Sequence, residues 1–328
     1  MNIRKKLLAV IAAAALLYLA GCLWTGWDLI LQSFKQFRWS VLPFCLALAF
    51  LNYIVRFCKW HYYLRLLNIP LRPAASFQVF LSGLTMSATP GKFGEVFKSY
   101  LVKQINGTAV SKSAPIVLAE RFTDFIALLL MSLMGAAMLP NGGAVFGLCA
   151  VIVAAILIAV SWKAAAEKLI VLSRSLPLIG GHSEKLRVSY ESIYLLVSPK
   201  PLLLTTAISV ASWFCECVAF YLVLWGFDAP IPIVPATFIY AFATILGALL
   251  MTPGGVGPTE GALGGLLVLL QSVPKGIAAS ATVIIRLCTL WFAVAVGLTV
   301  LGLCSKTFVS LPDDGGFENT IGKERVKS

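Results

Sequence analysis

Two stretches decide how this chain folds: Ala88-Thr89-Pro90-Gly91-Lys92-Phe93-Gly94-Glu95 and Met251-Thr252-Pro253-Gly254-Gly255-Val256-Gly257-Pro258-Thr259-Glu260. Each interrupts a long apolar run, 74–103 and 233–272, with Thr-Pro-Gly, further glycine and then a glutamate. An arginine follows each break in the next apolar segment, Arg121 and Arg286. Their distances from the break match once the two extra residues of the second copy are set aside. Break, carboxylate and downstream arginine recurring in one register argue for an internal duplication.

The composition says what surrounds these breaks. Of 328 residues, 59% are apolar by type and only 12% are charged. A soluble fold of this length cannot bury so much apolar surface, which excludes a soluble enzyme, a secreted disulfide module and a disordered chain. The remaining apolar segments fall at about 7–27, 41–66, 114–138, 143–162, 201–226 and 276–304. The net charge of +12 does not indicate nucleic acid, because the basic residues cluster in short loops between apolar runs. Cysteines sit mostly inside those runs and only two histidines are present, so the cysteines read as packing residues and no metal site is expected. Residues 1–22 have the basic start of a signal peptide, and Leu19-Ala20-Gly21-Cys22 looks like a lipoprotein cleavage box. The apolar run continues to Trp27, however, and the segment reads as an uncleaved first span.

Loop charge then fixes how the broken stretches cross. If each is a re-entrant hairpin, nearly all basic loop residues fall on the side of the N-terminus, and only Lys35, Arg38 and Lys275 fall opposite. If each is one broken span, the basic segment 163–200 faces outward, against the positive-inside bias. The reading is an all-α polytopic membrane protein with about six full spans and two re-entrant Pro-Gly-broken helical hairpins. The hairpins are arranged as inverted repeats, an architecture recurrent in transporters. Residues 1–305 form one transmembrane domain, with repeat A at about 41–138, repeat B at about 201–304 and a cytoplasmic linker at 163–200. Residues 306–328 form a disordered cytoplasmic tail.

The breaks carry chemistry suited to an anion. Thr89 and Thr252 read as N-caps, with Pro90 and Pro253 opening the helices that follow. Helix starts inside a membrane offer partly positive N–H groups to an anion such as phosphate. Gly91, Gly94, Gly254, Gly255 and Gly257 allow close approach, or alternatively only tight helix packing. Lys92 adds a positive charge in the first copy, where the second has Gly255. Glu95 and Glu260 read either as dipole compensation or as proton- or cation-coupled carboxylates. Glu120 and Asp124 share a helix face from which Arg121 diverges. Arg121 could pair with Glu95 or hold a phosphate, and Arg286 could pair with Glu260. Arg56 and Lys59 read as snorkelling to headgroups, with Arg56, Glu120 and Asp124 also candidates for binding the substrate, and Glu216 reads as facing the protein interior.

At these residues the chain resembles the flippase-like membrane domain family, also called the lysylphosphatidylglycerol synthase transmembrane region. The resemblance rests on Arg56-x-x-x-Trp60, Pro90-Gly91-Lys92-x-Gly94-Glu95, Glu120-Arg121-x-x-Asp124 and Pro253-Gly254-Gly255-x-Gly257 with Glu260, over about residues 5–305. It implies a bacterial inner-membrane protein, both termini cytoplasmic, that moves an anionic or headgroup-modified lipid between leaflets. Some relatives continue into a soluble aminoacyl-transferase domain. This sequence ends at Ser328 without one, so synthase activity is not carried over.

The expected partners are membrane lipids, with no nucleic acid and no cofactor. Two alternatives stand beside lipid transport: a non-catalytic partner of a lipid-modifying enzyme, and a membrane-embedded transferase acting on lipid-linked substrates. The transferase would need an acid or base and usually a metal-bound nucleotide site. No Gly-rich nucleotide loop, HExxH or paired histidine is present, and no catalytic residue is assigned.

Overall fold

The computed structural model describes residues 27–89, 93–135 and 183–304, with isolated helical positions between 143 and 158. The expected span at 7–27, Pro90, Gly91 and Lys92, most of 143–162 and the tail 306–328 lie outside the described residues. Among those described, every regular element is helical. In chain order these are α1 (Trp27–Gln36), α2 (Leu42–Leu66), α3 (Pro73–Gly83), α4 (Phe97–Asn106), α5 (Val110–Leu133) and α6 (Ser183–Leu196). The second half adds α7 (Pro199–Gly226), α8 (Ile233–Leu249), α9 (Pro258–Gln271), α10 (Lys275–Arg286) and α11 (Phe292–Leu303).

Three helical stretches among the described residues are long and apolar enough to cross a membrane: Trp39–Leu66, Pro199–Gly226 and Lys275–Leu303. The last runs through a π turn at Leu287–Trp291, directly after Arg286. Helix α5 is 24 residues long and carries Lys112, Glu120, Arg121 and Asp124, of which Glu120 and Asp124 are buried. It begins at Val110, earlier than the apolar run suggests, which places Glu120 near mid-helix. Outward positions are apolar: Phe44, Leu203, Leu269 and Leu303 are all strongly exposed. Hydrocarbon is an apolar solvent, so leucine and phenylalanine on that surface are stable while polar side chains turn inward.

The long helices show this inversion plainly. On α2, Asn52, Arg56, Lys59 and Tyr63 recur at helical spacing and are all buried. On α7, Thr205, Ser209, Ser212 and Glu216 do the same. The two stripes face each other. Asn52 donates to the Ser212 carbonyl at 2.7 Å, Lys59 to Ser209 Oγ at 2.7 Å, and Tyr63 Oη to Thr205 Oγ1 at 2.9 Å. Cys45 at the other end of α2 meets the Ala219 carbonyl. Partners descend along α7 as they ascend along α2, so the two helices run antiparallel.

Local conformations recur between the halves. Helix α2 ends with Asn68 in the left-handed region (φ 50°) and Ile69 N–H bonding back to the Leu64 carbonyl. Helix α7 ends with Asp228 (φ 52°) and Ala229 N–H bonding back to the Leu224 carbonyl. The same holds before the closing helices, where left-handed Gly107 precedes α5 and left-handed Ser272 precedes α10.

Helices α3 and α4 pack together, and Asn106 Nδ2 donates to the Pro70 carbonyl at 2.8 Å, so the two ends of the segment lie side by side. Helices α8 and α9 pack likewise. The closing helices are exchanged: α5 lies on α8, and α11 lies on α3 and the 3₁₀ turn Leu84–Ala88. Both crossings are tight at a glycine. A side chain at Gly135 would enter the Phe238 ring, and one at Gly297 would enter the Thr85 backbone.

Candidate functional site

The two breaks meet. A Cβ on Gly254, at φ 62°, would lie 3.4 Å from Ala88 Cα and 3.0 Å from the Leu290 side chain, so only glycine fits here without strain. Beside this contact is a cavity of about 370 Å³, walled by α2, α5, α7, α8, α10 and both break segments.

At the second break the local structure differs from the one the sequence suggests. At the first, the Thr89 hydroxyl donates back to the Met86 carbonyl at 2.6 Å, and the residues it is expected to cap lie outside those described. The chain resumes as a 3₁₀ turn at Phe93–Val96, whose backbone includes Gly94, before α4 begins. Thr252 is not an N-cap, because α9 starts at Pro258, with Gly257 as its cap and Glu260 Oε2 accepting the Gly257 N–H at 2.6 Å. Residues 252–257 instead form successive tight turns. Gly255 N–H bonds the Thr252 carbonyl, and Val256 N–H bonds the Pro253 carbonyl. Three left-handed glycines, Gly254, Gly255 and Gly257, allow that path. Much of the second break's backbone is thus satisfied internally, and side-chain donors also line the cavity.

Those donors are mainly arginines. Arg56, Arg121 and Arg286 all line the cavity, with Thr89, Asp124, Thr252, Gly254 and Gly255 of the anticipated set. Arg56 is 5% exposed, which overturns its reading as a snorkelling residue. Its Nε, the Arg121 Nε and the Thr252 hydroxyl are buried without a hydrogen-bond partner among the described residues. Glu95, Glu120, Pro253, Gly257 and Glu260 stand behind the wall.

Each arginine after a break pairs with the glutamate of its own break. Arg121 Nη2 lies 3.1 Å from Glu95 Oε2, and Arg286 Nε lies 2.6 Å from Glu260 Oε1. In both pairs the partners are 26 positions apart. Arg286 also donates to the Gly254 carbonyl, holding the turn against α10.

The first half carries a further network of buried charges. Asp124 lies 2.6 Å from Lys59, 3.2 Å from Arg121 and 3.6 Å from Arg56. Lys98 lies 2.6 Å from Glu120 and 3.6 Å from Glu95, with its ammonium 4.5 Å from the Trp60 ring centroid. Lys59, expected at the headgroups, is instead fully buried, as is Lys98, on which the sequence reading places no role. The signal for Lys59 was available, since it shares a helix face with Arg56, Asn52 and Tyr63. The signal for Lys98 was its position one turn after Glu95. Glu216 lines the cavity as well and accepts a hydrogen bond from the Tyr240 hydroxyl at 2.6 Å. No group of three or more His, Cys, Asp or Glu suited to a metal ion occurs among the described residues.

Known proteins share this sequence pattern. Over 314 residues the chain is 27% identical to a UPF0104 membrane protein of Methanothermobacter thermautotrophicus, covering 87% of this chain and 90% of that protein. A shorter match, 28% identical over 97 residues, covers 29% of this chain and 28% of a UPF0104 membrane protein of the same organism. Residues 6–297 match the family described as lysylphosphatidylglycerol synthase TM region. With that match spanning nearly the whole described fold, the chain belongs to the lysylphosphatidylglycerol synthase transmembrane-region family of integral membrane proteins.

Proposed function

We propose that this protein translocates a lipid with an anionic or modified phosphate-bearing headgroup between the leaflets of a bacterial inner membrane. One observation carries the reading: two Pro-Gly breaks from different halves meet at a cavity that gathers Arg56, Arg121 and Arg286. Guanidinium groups bind phosphate in a planar, bidentate manner. Three of them in a small interior space favour a charged headgroup over a neutral one.

In this reading the chain has about six full spans, and each Pro-Gly segment is a re-entrant hairpin. The two halves are inverted repeats, and both termini face the cytoplasm. The antiparallel α2 and α7 and the recurring chain turns at Asn68 and Asp228 support that arrangement. Such repeats meeting at the midplane permit alternating access. Arg56, Arg121, Arg286, Thr89 and Thr252 contact the headgroup. Glu95, Glu260 and Asp124 orient the arginines, and Glu120 holds Lys98. Pro90, Gly91, Lys92 and Gly94 complete the first break, and Pro253, Gly254, Gly255 and Gly257 shape the second.

The test is reconstitution into vesicles containing a trace of fluorescent phosphatidylglycerol, with leaflet exchange followed by dithionite quenching. Exchange well above that of empty vesicles, and slowed in Arg121→Ala, supports the reading. A rate equal to that of empty vesicles across anionic lipids overturns it.

A further inference from the structure

Two of the residues that line the cavity also reach the outer surface of the protein. Leu118 of α5 is 50% exposed, and Leu249, the last residue of α8, is 61% exposed. Of residues 111–129, all of them described, Leu118 alone is exposed, with buried Val117 and Ala119 on either side. A side chain that borders an interior space and also reaches the surface marks where that space opens. From there both walls deepen. Along α5 the lining runs from Leu118 past partly exposed Arg121 to buried Leu128, and along α8 from Leu249 back past Ile245 to buried Tyr240.

The two helices pack together and close on each other at their other ends, where Gly135 lies against the Phe238 ring. Their cavity-lining faces therefore spread from a tight crossing towards Leu118 and Leu249. In the proposed topology this opening lies at membrane depth. Leu118 is eight residues after the start of α5 at Val110, about 12 Å along the helix, and Leu249 is sixteen after the start of α8 at Ile233, about 24 Å along it. With those starts at opposite faces of a hydrocarbon core about 30 Å thick, neither residue reaches an aqueous surface.

The rim is apolar and the interior is charged. Ala248, Leu250 and Met251 are exposed beside Leu249, while Arg121 lies one helical turn from Leu118 on the same face of α5. An apolar surface and a guanidinium within one turn of each other suit an amphiphile, whose acyl chains and phosphate are joined at the glycerol. A soluble anion would have to cross the apolar rim, and a bare hydrocarbon would meet desolvated arginine.

We propose that the cleft between α5 and α8 is a lateral portal for the substrate lipid: the acyl chains stay in the hydrocarbon between Leu118 and Leu249 while the phosphate meets Arg121. This rests on the anionic-headgroup reading above, and adds where the lipid enters and which part of it stays outside.

The test uses phosphatidylcholine vesicles containing the wild-type protein and a trace of phosphatidylglycerol with a photoactivatable diazirine in one acyl chain. Phosphatidylcholine carrying the same chain, at the same trace level, reports the surrounding lipid. The portal predicts adducts at Leu118 and Leu249, by mass spectrometry, in about tenfold excess from the phosphatidylglycerol probe, the preference that one charge-assisted contact supports. The excess is lost in Arg121→Ala. Leu118→Trp fills the opening and slows leaflet exchange of fluorescent phosphatidylglycerol about tenfold, whereas Leu203→Trp, at an exposed site on α7, leaves it unchanged. Should Leu118→Trp fail to fold, Leu249→Trp closes the same opening from α8, and the adducts need no variant. Equal adduct yields from the two probes mean ordinary surrounding lipid, and no adducts at either residue mean another occupant, such as a second copy of the chain; both results overturn the portal. Exchange that proceeds without the excess removes the portal and leaves transport standing. The excess in a protein that exchanges no faster than empty vesicles keeps the portal as a lipid-binding cleft and removes transport alone.

Discussion

Asp124→Asn perturbs the most heavily charged point of the interior, where one carboxylate faces Lys59 at 2.6 Å, Arg121 at 3.2 Å and Arg56 at 3.6 Å. The amide preserves shape and removes the charge. Arg121 still has Glu95 at 3.1 Å, but Lys59 is left with the hydroxyls of Thr123 and Ser209 at complete burial. An uncompensated buried charge costs about 3–5 kcal/mol, and Asp124→Asn loses that much. Lys59→Met is milder, because Asp124 keeps both arginines and the Ser209 hydroxyl at 3.0 Å. Its loss is one charge-assisted hydrogen bond, about 1.5–3 kcal/mol. In the double variant the stranded ammonium is gone, so its loss falls short of the sum of the singles by about 1–3 kcal/mol. Reversible unfolding of all four proteins in mixed micelles, followed by circular dichroism, measures the cycle. Additivity within about 0.5 kcal/mol, or a Lys59→Met protein less stable than Asp124→Asn, would refute the reasoning.

Gly254→Ala places a side chain on a left-handed backbone against Ala88 and Leu290, costing about 1–2 kcal/mol from the backbone alone; unfolding in micelles reads it. Glu260→Gln keeps an oxygen for the Gly257 N–H while leaving Arg286 without its counter-charge, and loses about 1.5–3 kcal/mol by the same measurement. In the vesicle assay, Arg121→Ala and Arg286→Ala each slow lipid exchange about tenfold, the equivalent of ~1.4 kcal/mol at the barrier. Arg38→Ala, whose exposed side chain pairs with exposed Asp228, leaves exchange unchanged and alters stability by less than about 1 kcal/mol.

Helical class, membrane residence and the two breaks are legible in the sequence because they depend on composition and on proline and glycine, which act locally. The pairs Arg121–Glu95 and Arg286–Glu260 are legible too, since one motif repeated in register implies one geometry repeated. What the sequence concealed depends on which way a helix faces. Arg56 and Lys59 near aromatic residues look like interface anchors, yet they continue a stripe with Asn52 and Tyr63 that meets α7. In a bilayer the polar stripe marks the inside, the reverse of a soluble helix. The start of α9 was also concealed. Thr-Pro suits a cap, but Gly254, Gly255 and Gly257 carry the chain through left-handed turns that postpone the helix to Pro258, where Glu260 closes its first turn. The Glu216–Tyr240 contact joins α7 to α8 in three dimensions, and no local pattern announces it.

The most direct measurement of the central claim is the sidedness of the two hairpins. In a chain whose eight native cysteines are replaced, single cysteines at Arg72, Asn106, Asp228 and Ser272 are labelled in oriented membrane vesicles with an impermeant thiol reagent. Two hairpins dipping in from opposite faces predict labelling of positions 72 and 106 from the cytoplasmic side only, and of positions 228 and 272 from the other side only. Labelling of 72 and 106 from opposite sides, or of 228 and 272 from opposite sides, would make that segment a full crossing and contradict the account.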